Sequence, residues 1–271
     1  MESKLFENVN YRSDIKFVHS RFIREYDIRK ANISILYKSG VIDKVTYNRL
    51  YNSSRATRQI EIGLMEKYNP EVYKVLAAGI IEAKRKLFTM NDIKDYEVLS
   101  IKNDAVFILD RQLQYTEIDD IIVFAQKNTY TSYISLNFGS RVEIFYGLDK
   151  ISNSEKVDVK GISDNLLYLH KDYFLDFIVF ILSSIETESI EEVISSFKDF
   201  YNNYISLSLP IEYYREFNSD SKYRILNTIY AANSLADTDE NKRLLNISYN
   251  LTLLREIYEY LTKTFFEVKK K

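Results

Sequence analysis

The chain has 271 residues with 37 Lys+Arg against 39 Asp+Glu, a net charge of -2, which fits one large or two small domains. Its 46% hydrophobic residues, 2 Pro and 6 Gly predict a chain folded throughout, with little room for disordered linkers. The absence of Cys excludes a disulfide scaffold, a cysteine nucleophile and thiolate metal sites, and 2 His argue against a histidine metal centre or a Ser-His-Asp triad, so carboxylates remain as the main catalytic groups.

The N-terminus, Met1 to Val9, carries Glu2 and Glu7 rather than a basic run before an apolar segment, so no signal peptide is expected. Charge is unevenly spread: residues 1–60 hold 12 Lys/Arg against 6 Asp/Glu, leaving 25 against 33 for the remainder. A basic stretch of this kind suits either a phosphate-contacting surface or solvated helix faces. A short strand is expected near Tyr26. From Asn32 to about Thr89 apolar residues recur three and four apart (Ile33, Leu36 and Tyr37; Ile60, Leu64 and Met65; Val72, Val75, Leu76, Ile80 and Leu87), which predicts helices. Gly40 should stop the first, and Asn69-Pro70 should open the last.

A different rhythm follows. Glu97–Lys102, Ala105–Asp110, Ile121–Gln126, Thr129–Asn137, Arg141–Tyr146 and Lys156–Lys160 are short, rich in Val, Ile, Phe and Tyr, and separated by polar or Gly-containing turns, which predicts one antiparallel sheet with hairpins. After Gly161 the helical rhythm returns in Leu166–Ser184, Ser189–Ile205 and Asn241–Phe266, interrupted by Leu209-Pro210 and Asn218–Ser221, and the tail Lys269-Lys270-Lys271 should fray. The order predicts an α+β fold rather than βαβ alternation. The longest apolar stretch, Tyr173 to Ile185, is interrupted by Asp176 and falls short of the roughly 20 residues of a bilayer span, so no membrane partner and a cytoplasmic location are expected. Abundant Lys, Asn, Ile and Tyr beside absent Cys and Trp fit an AT-rich genome, such as a bacteriophage's.

Two aspartates stand at strand edges beside turns: Asp27 in Arg24-Glu25-Tyr26-Asp27-Ile28-Arg29-Lys30-Ala31, and Asp104 in Lys102-Asn103-Asp104-Ala105-Val106-Phe107. Carboxylates brought together from two strands can hold a pair of Mg²⁺ ions for phosphoryl chemistry, and Asp at such positions equally suits a turn or an N-cap. Arg55 and Arg58 lie three apart on one face of a predicted helix, either to meet a triphosphate or to pair with Glu61 and Glu66. Lys127 beside Tyr130 and Tyr133 combines a cation with aromatics, which suits a sugar-phosphate backbone with stacked bases or ordinary sheet packing. His19 and His170 read as structural or surface residues. Glu212-Tyr213-Tyr214-Arg215-Glu216-Phe217 reads as either a docking site or core packing.

The run from Tyr26 to Leu36 resembles polymerase motif A, a strand ending in an Asp that turns directly into a helix. Lys102 to Phe107 resembles the Asp-Thr-Asp-Ser hairpin of motif C in family B DNA polymerases, with Asp104 at the second Asp and Lys102 in place of the first. Gln126-Lys127-Asn128-Thr129-Tyr130 is similar to that family's Lys-x-Tyr element, and Val159-Lys160-Gly161-Ile162 to its Lys-Gly pair between palm and thumb. The resemblance covers residues 24–162. It implies a palm-like domain over 1–162 with a helical insert at about 32–92 in place of fingers, and a helical thumb-like domain over 163–271. Asp27 and Asp104 would be catalytic metal ligands for Mg²⁺, with Lys127 and Tyr130 on primer–template DNA and Lys160 at the palm–thumb junction. Motif B has no clear counterpart, so Lys74 or Lys84 would join Arg55 and Arg58 in binding deoxynucleoside triphosphates, or a protein partner would supply the missing elements. The expected function is template-dependent nucleotidyl transfer to a primer 3′-hydroxyl. The alternative is a catalytically inactive palm-derived factor that binds nucleic acid or protein, because Lys102 sets a cation where the family carries a carboxylate.

Overall fold

A computed structural model describes residues 5–8, 14–138, 140–149, 154–162, 167–168, 170–214, 222–225, 228–231 and 240–269. In chain order the elements are α1 (Leu5–Asn8), β1 (Phe17–Val18), β2 (Ile23–Ile28), α2 (Ala31–Lys38), α3 (Lys44–Tyr51), α4 (Arg55–Tyr68) and α5 (Glu71–Asn91). Then come β3 (Val98–Ser100), β4 (Ala105–Leu109), β5 (Phe124–Tyr130), β6 (Ser132–Phe138), β7 (Ser140–Asp149) and β8 (Ser154–Lys160). The C-terminal part holds α6 (Phe174–Thr187), α7 (Ile190–Ile205), the hairpin strands β9 (Lys222–Ile225) and β10 (Thr228–Ala231), and α8 (Glu240–Lys269). The fold is α+β, with antiparallel sheets, a helical insert between β2 and β3, and helices towards the C-terminus.

Two compact units share the chain: residues 1–14 with 22–129, and residues 15–21 with 130–271. In the first, the sheet order is β3-β4-β2-β5. Alternation along β2 sends Tyr26 and Ile28 to one face, where they join Val106 and Ile108 of β4, Ile33 and Leu36 of α2, and Leu76, Leu87 and Phe88 of α5 in one core. Asp27 thereby belongs to the opposite face. The buried Tyr26 hydroxyl is satisfied twice, donating to Gln126 Oε1 at 3.3 Å and accepting from the Leu113 N–H at 2.9 Å. Local chemistry sets the helix ends. Gly40, at φ 75°, ends α2, the Ser54 side chain accepts from the Thr57 N–H at the start of α4, and Asn69-Pro70 immediately precedes α5.

In the second unit the sheet order is β1-β6-β7-β8. Ile134, Leu136, Val142 and Ile144 form one face of this sheet and pack with Phe174, Ile178 and Ile181 of α6, Phe197 of α7 and Leu253, Leu254 and Ile257 of α8. The rings of Phe177 and Phe200 stack between α6 and α7 at 3.5 Å. Tyr214 is fully buried against Tyr204, ring centroids 4.9 Å apart, so this part of the aromatic cluster is core packing. Arg215 to Phe217, Asn218–Ser221 and the last two lysines lie outside the described residues.

Where one sheet was expected there are two, and the division falls at residues 129 and 130 rather than at 162. The reason lies in the pairing. Strand β5 runs on through Lys127-Asn128 to Tyr130, the chain bends at Thr131, and β6, β7 and β8 pair in succession with each other while β6 takes β1 on its other side. A turn at 171–173 interrupts the helix expected over Leu166–Ser184: residues 167–168 and 170 are helical before it, and α6 begins at Phe174.

Candidate functional site

The site of interest in the first unit is assembled by strand register. Asp27 ends the β2–β4 ladder opposite Ala105, and the Ile28 N–H donates to the Asp104 carbonyl at 3.4 Å, so the main chain of Asp104, just before β4, lies beside the end of β2. The β3–β4 turn is tight: the Ala105 N–H donates to the Lys102 carbonyl at 3.3 Å, and Asn103 takes φ 56°, a conformation Asn tolerates better than most residues. Asp104 is half-buried at this turn and Asp27 is 6% exposed.

A lysine lies by each aspartate. The Lys127 ammonium is ion-paired with Asp27 Oδ2, while Asp27 Oδ1 is buried with no hydrogen-bond partner among the described residues. Lys84, in the middle of α5 and 2% exposed, donates to the Ile101 and Asn103 carbonyls, both at 2.5 Å. Burial pushes its pKa down to about 7, against the opposing pull of the Asp104 charge. Glu25, two residues before Asp27 and on the same face, is 4% exposed and accepts from the Asn128 side chain at 2.7 Å. Sequence reasoning passed over it, although alternation along β2 was the signal that could have found it.

The other expected site residues are engaged elsewhere. Arg58 donates to the Ser53 carbonyl at the end of α3, and Glu61, its expected partner, instead makes a two-pronged pair with Arg49. Arg55 is exposed at the first position of α4, and Lys74 is an exposed residue paired with Glu71 at 2.7 Å. Lys84 is buried against main-chain carbonyls, which leaves its ammonium directed at the protein itself. In the second unit Tyr130 is 1% exposed and packs against Phe145, ring centroids 5.5 Å apart, so the base-stacking role expected of it is corrected to one in packing. Tyr133 is buried too, its hydroxyl donating to Glu143 at 2.9 Å. Lys160 closes β8 and pairs with Asp158 at 2.7 Å.

Among the described residues, no group of three or more His, Cys, Asp or Glu side chains is arranged to hold a metal ion. The residues that would hold Mg²⁺ are the two aspartates, Asp27 at the end of β2 and Asp104 at the β3–β4 turn. Hard carboxylate oxygens, one of them buried and unpartnered, fit a hard cation.

The class these features define is an α+β protein with one aspartate at the end of β2 and another at the adjoining β3–β4 turn. The chain belongs to the family described as Bacteriophage PBS1 gene 130 protein, whose model matches residues 1–263. The phage source expected from composition agrees with that description. No curated protein matches the chain. Among the described residues no helix is long and apolar enough to cross a membrane.

Proposed function

We propose that the first unit is a palm-type module for nucleotidyl transfer, resembling family B DNA polymerases, that works on primer–template DNA in the host cytoplasm. One observation carries the reading: Asp27 ends β2 and Asp104 sits in the turn that leads into the neighbouring strand β4, on either side of a long helical insert in sequence, and Asp27 keeps a buried oxygen with no hydrogen-bond partner among the described residues. Asp27 and Asp104 would hold Mg²⁺, which when bound supplies the charge neutralisation that a transferring phosphoryl group needs. Lys127, about half exposed, pairs with Asp27 and is within reach of solvent, where it can turn to a phosphate of the nucleic acid. Arg55, exposed at the start of α4, is the cation that would meet a deoxynucleoside triphosphate.

The test is primer extension on a primed single-stranded template with four deoxynucleotides and Mg²⁺, comparing wild type with Asp27→Asn and Asp104→Asn. Extension that needs Mg²⁺ and falls to background in both folded variants is the expected result, and absence of extension by the wild type would overturn it. A second reading is favoured by the Lys127–Asp27 pair, because an ammonium on Asp27 already supplies the charge that a metal ion would bring. In that case the module is a non-catalytic factor that binds nucleic acid or protein, and primed template is bound without extension and without dependence on Mg²⁺.

A further inference from the structure

We propose that Lys84 is a positioning residue, whose ammonium, buried between α5 and the β3–β4 turn, sets where Asp104 stands relative to Asp27. Removing an ammonium from water is expensive, and an apolar side chain of similar volume would usually serve a core as well or better. Lys84 is nevertheless 2% exposed in the middle of a helix whose buried neighbours are Ala83, Leu87 and Phe88. What it obtains there is specific. It donates to the carbonyls of Ile101 and Asn103, which flank Lys102 just where the β3–β4 ladder gives way to the turn. The next residue is Asp104, and its own carbonyl accepts from the Ile28 N–H, adjacent to Asp27. One ammonium thus ties the helical insert to the loop that carries Asp104 alongside the end of β2. A methylene stem with no charge would fill the same space and leave both carbonyls to find other donors.

The turn itself supplies two reporters. The Ile28 amide depends on the Asp104 carbonyl and the Ala105 amide on the Lys102 carbonyl, so hydrogen exchange at these positions reads the turn directly, with Leu87 and Phe88 of α5 as controls for global folding. In Lys84→Met, protection at Ile28 and Ala105 is expected to fall about tenfold or more relative to the α5 controls, the scale of losing hydrogen bonds from a charged donor. Lys84→Arg should restore part of it. Unchanged protection at both amides in Lys84→Met and Lys84→Gln would overturn the proposal. The consequence for cation binding rests on the carboxylate reading above, and Mn²⁺ titration separates the two. If wild type binds Mn²⁺ and Lys84→Met binds it about tenfold more weakly, positioning is supported; equal affinity counts against it. Failure of wild type to bind Mn²⁺ would remove the carboxylate reading, while the exchange data alone would still decide whether Lys84 positions the turn.

Discussion

At the scale of single residues, Gly79 and Gly63 make a paired test of packing against propensity. A Cβ on Gly79 would lie 2.3 Å from Cγ2 of Ile35, which is 4% exposed and cannot swing away. Alanine there gains about 1 kcal/mol of helix propensity and meets overpacking of about 1–3 kcal/mol, so Gly79→Ala should lower the urea midpoint. Gly63 meets nothing within 4 Å, so Gly63→Ala should raise the midpoint, by roughly 0.4–1 kcal/mol of stability. Lys127→Met leaves the Asp27 carboxylate buried without its ion pair and should cost about 1 kcal/mol, since half of the lysine is in water. If the carboxylates bind Mg²⁺, its addition should raise Tm more in this variant than in wild type. His19 supplies a pH test. Burial lowers its pKa from 6.5 against the opposing pull of Glu186 and Glu267, so the unfolded chain takes up the proton first. Stability should therefore fall as pH drops through 6.5, until the folded imidazole also protonates, and His19→Gln should flatten the Tm profile in that window.

Elements answer to their ends and edges. Helix α7 opens with a capping box in which Ser189 Oγ accepts from the Glu192 N–H at 3.3 Å and Glu192 accepts from the Ser189 N–H at 2.9 Å. Ser189→Ala should cost about 1 kcal/mol, read as a lower thermal midpoint by circular dichroism. The start of this helix near Ser189 and the stop at Gly40 were legible because helix ends are a local matter of three or four residues. Strand β5 was less so. Lys127-Asn128 was expected to separate the strands Ile121–Gln126 and Thr129–Asn137, yet both residues lie within β5, an edge strand with Gln126 and Lys127 exposed, a position where polar residues are tolerated. That continuity is what brings Lys127 onto Asp27.

At the scale of the whole molecule, the two units carry separate cores, one around Tyr26, Val106 and Leu87 and the other around Ile144, Ile181 and Leu254. Ile181 is fully buried, so Ile181→Ala should cost about 2–5 kcal/mol within its own core. Exchange should accelerate at the Ile144 amide of β7 and change little at the Val106 amide of β4. Equal acceleration at both would mean that the chain opens as one cooperative unit.

Periodicity, capping and β-branched runs are properties of neighbouring residues, so the sequence by itself determined the α+β class, the insert between Ile28 and Val98, and the two strand-edge aspartates. Which strands share a sheet depends on contacts distant in the chain. Only the tertiary structure decided that the six predicted strands divide between two sheets and that Tyr130 is packed rather than open. Burial and partners likewise separate residues of one chemical type: Lys74 lies on the surface with Glu71, Lys84 is buried under the Asp104 turn, and Lys127 rests on Asp27. A lysine's role follows from the groups its ammonium meets after folding, and local sequence does not encode them.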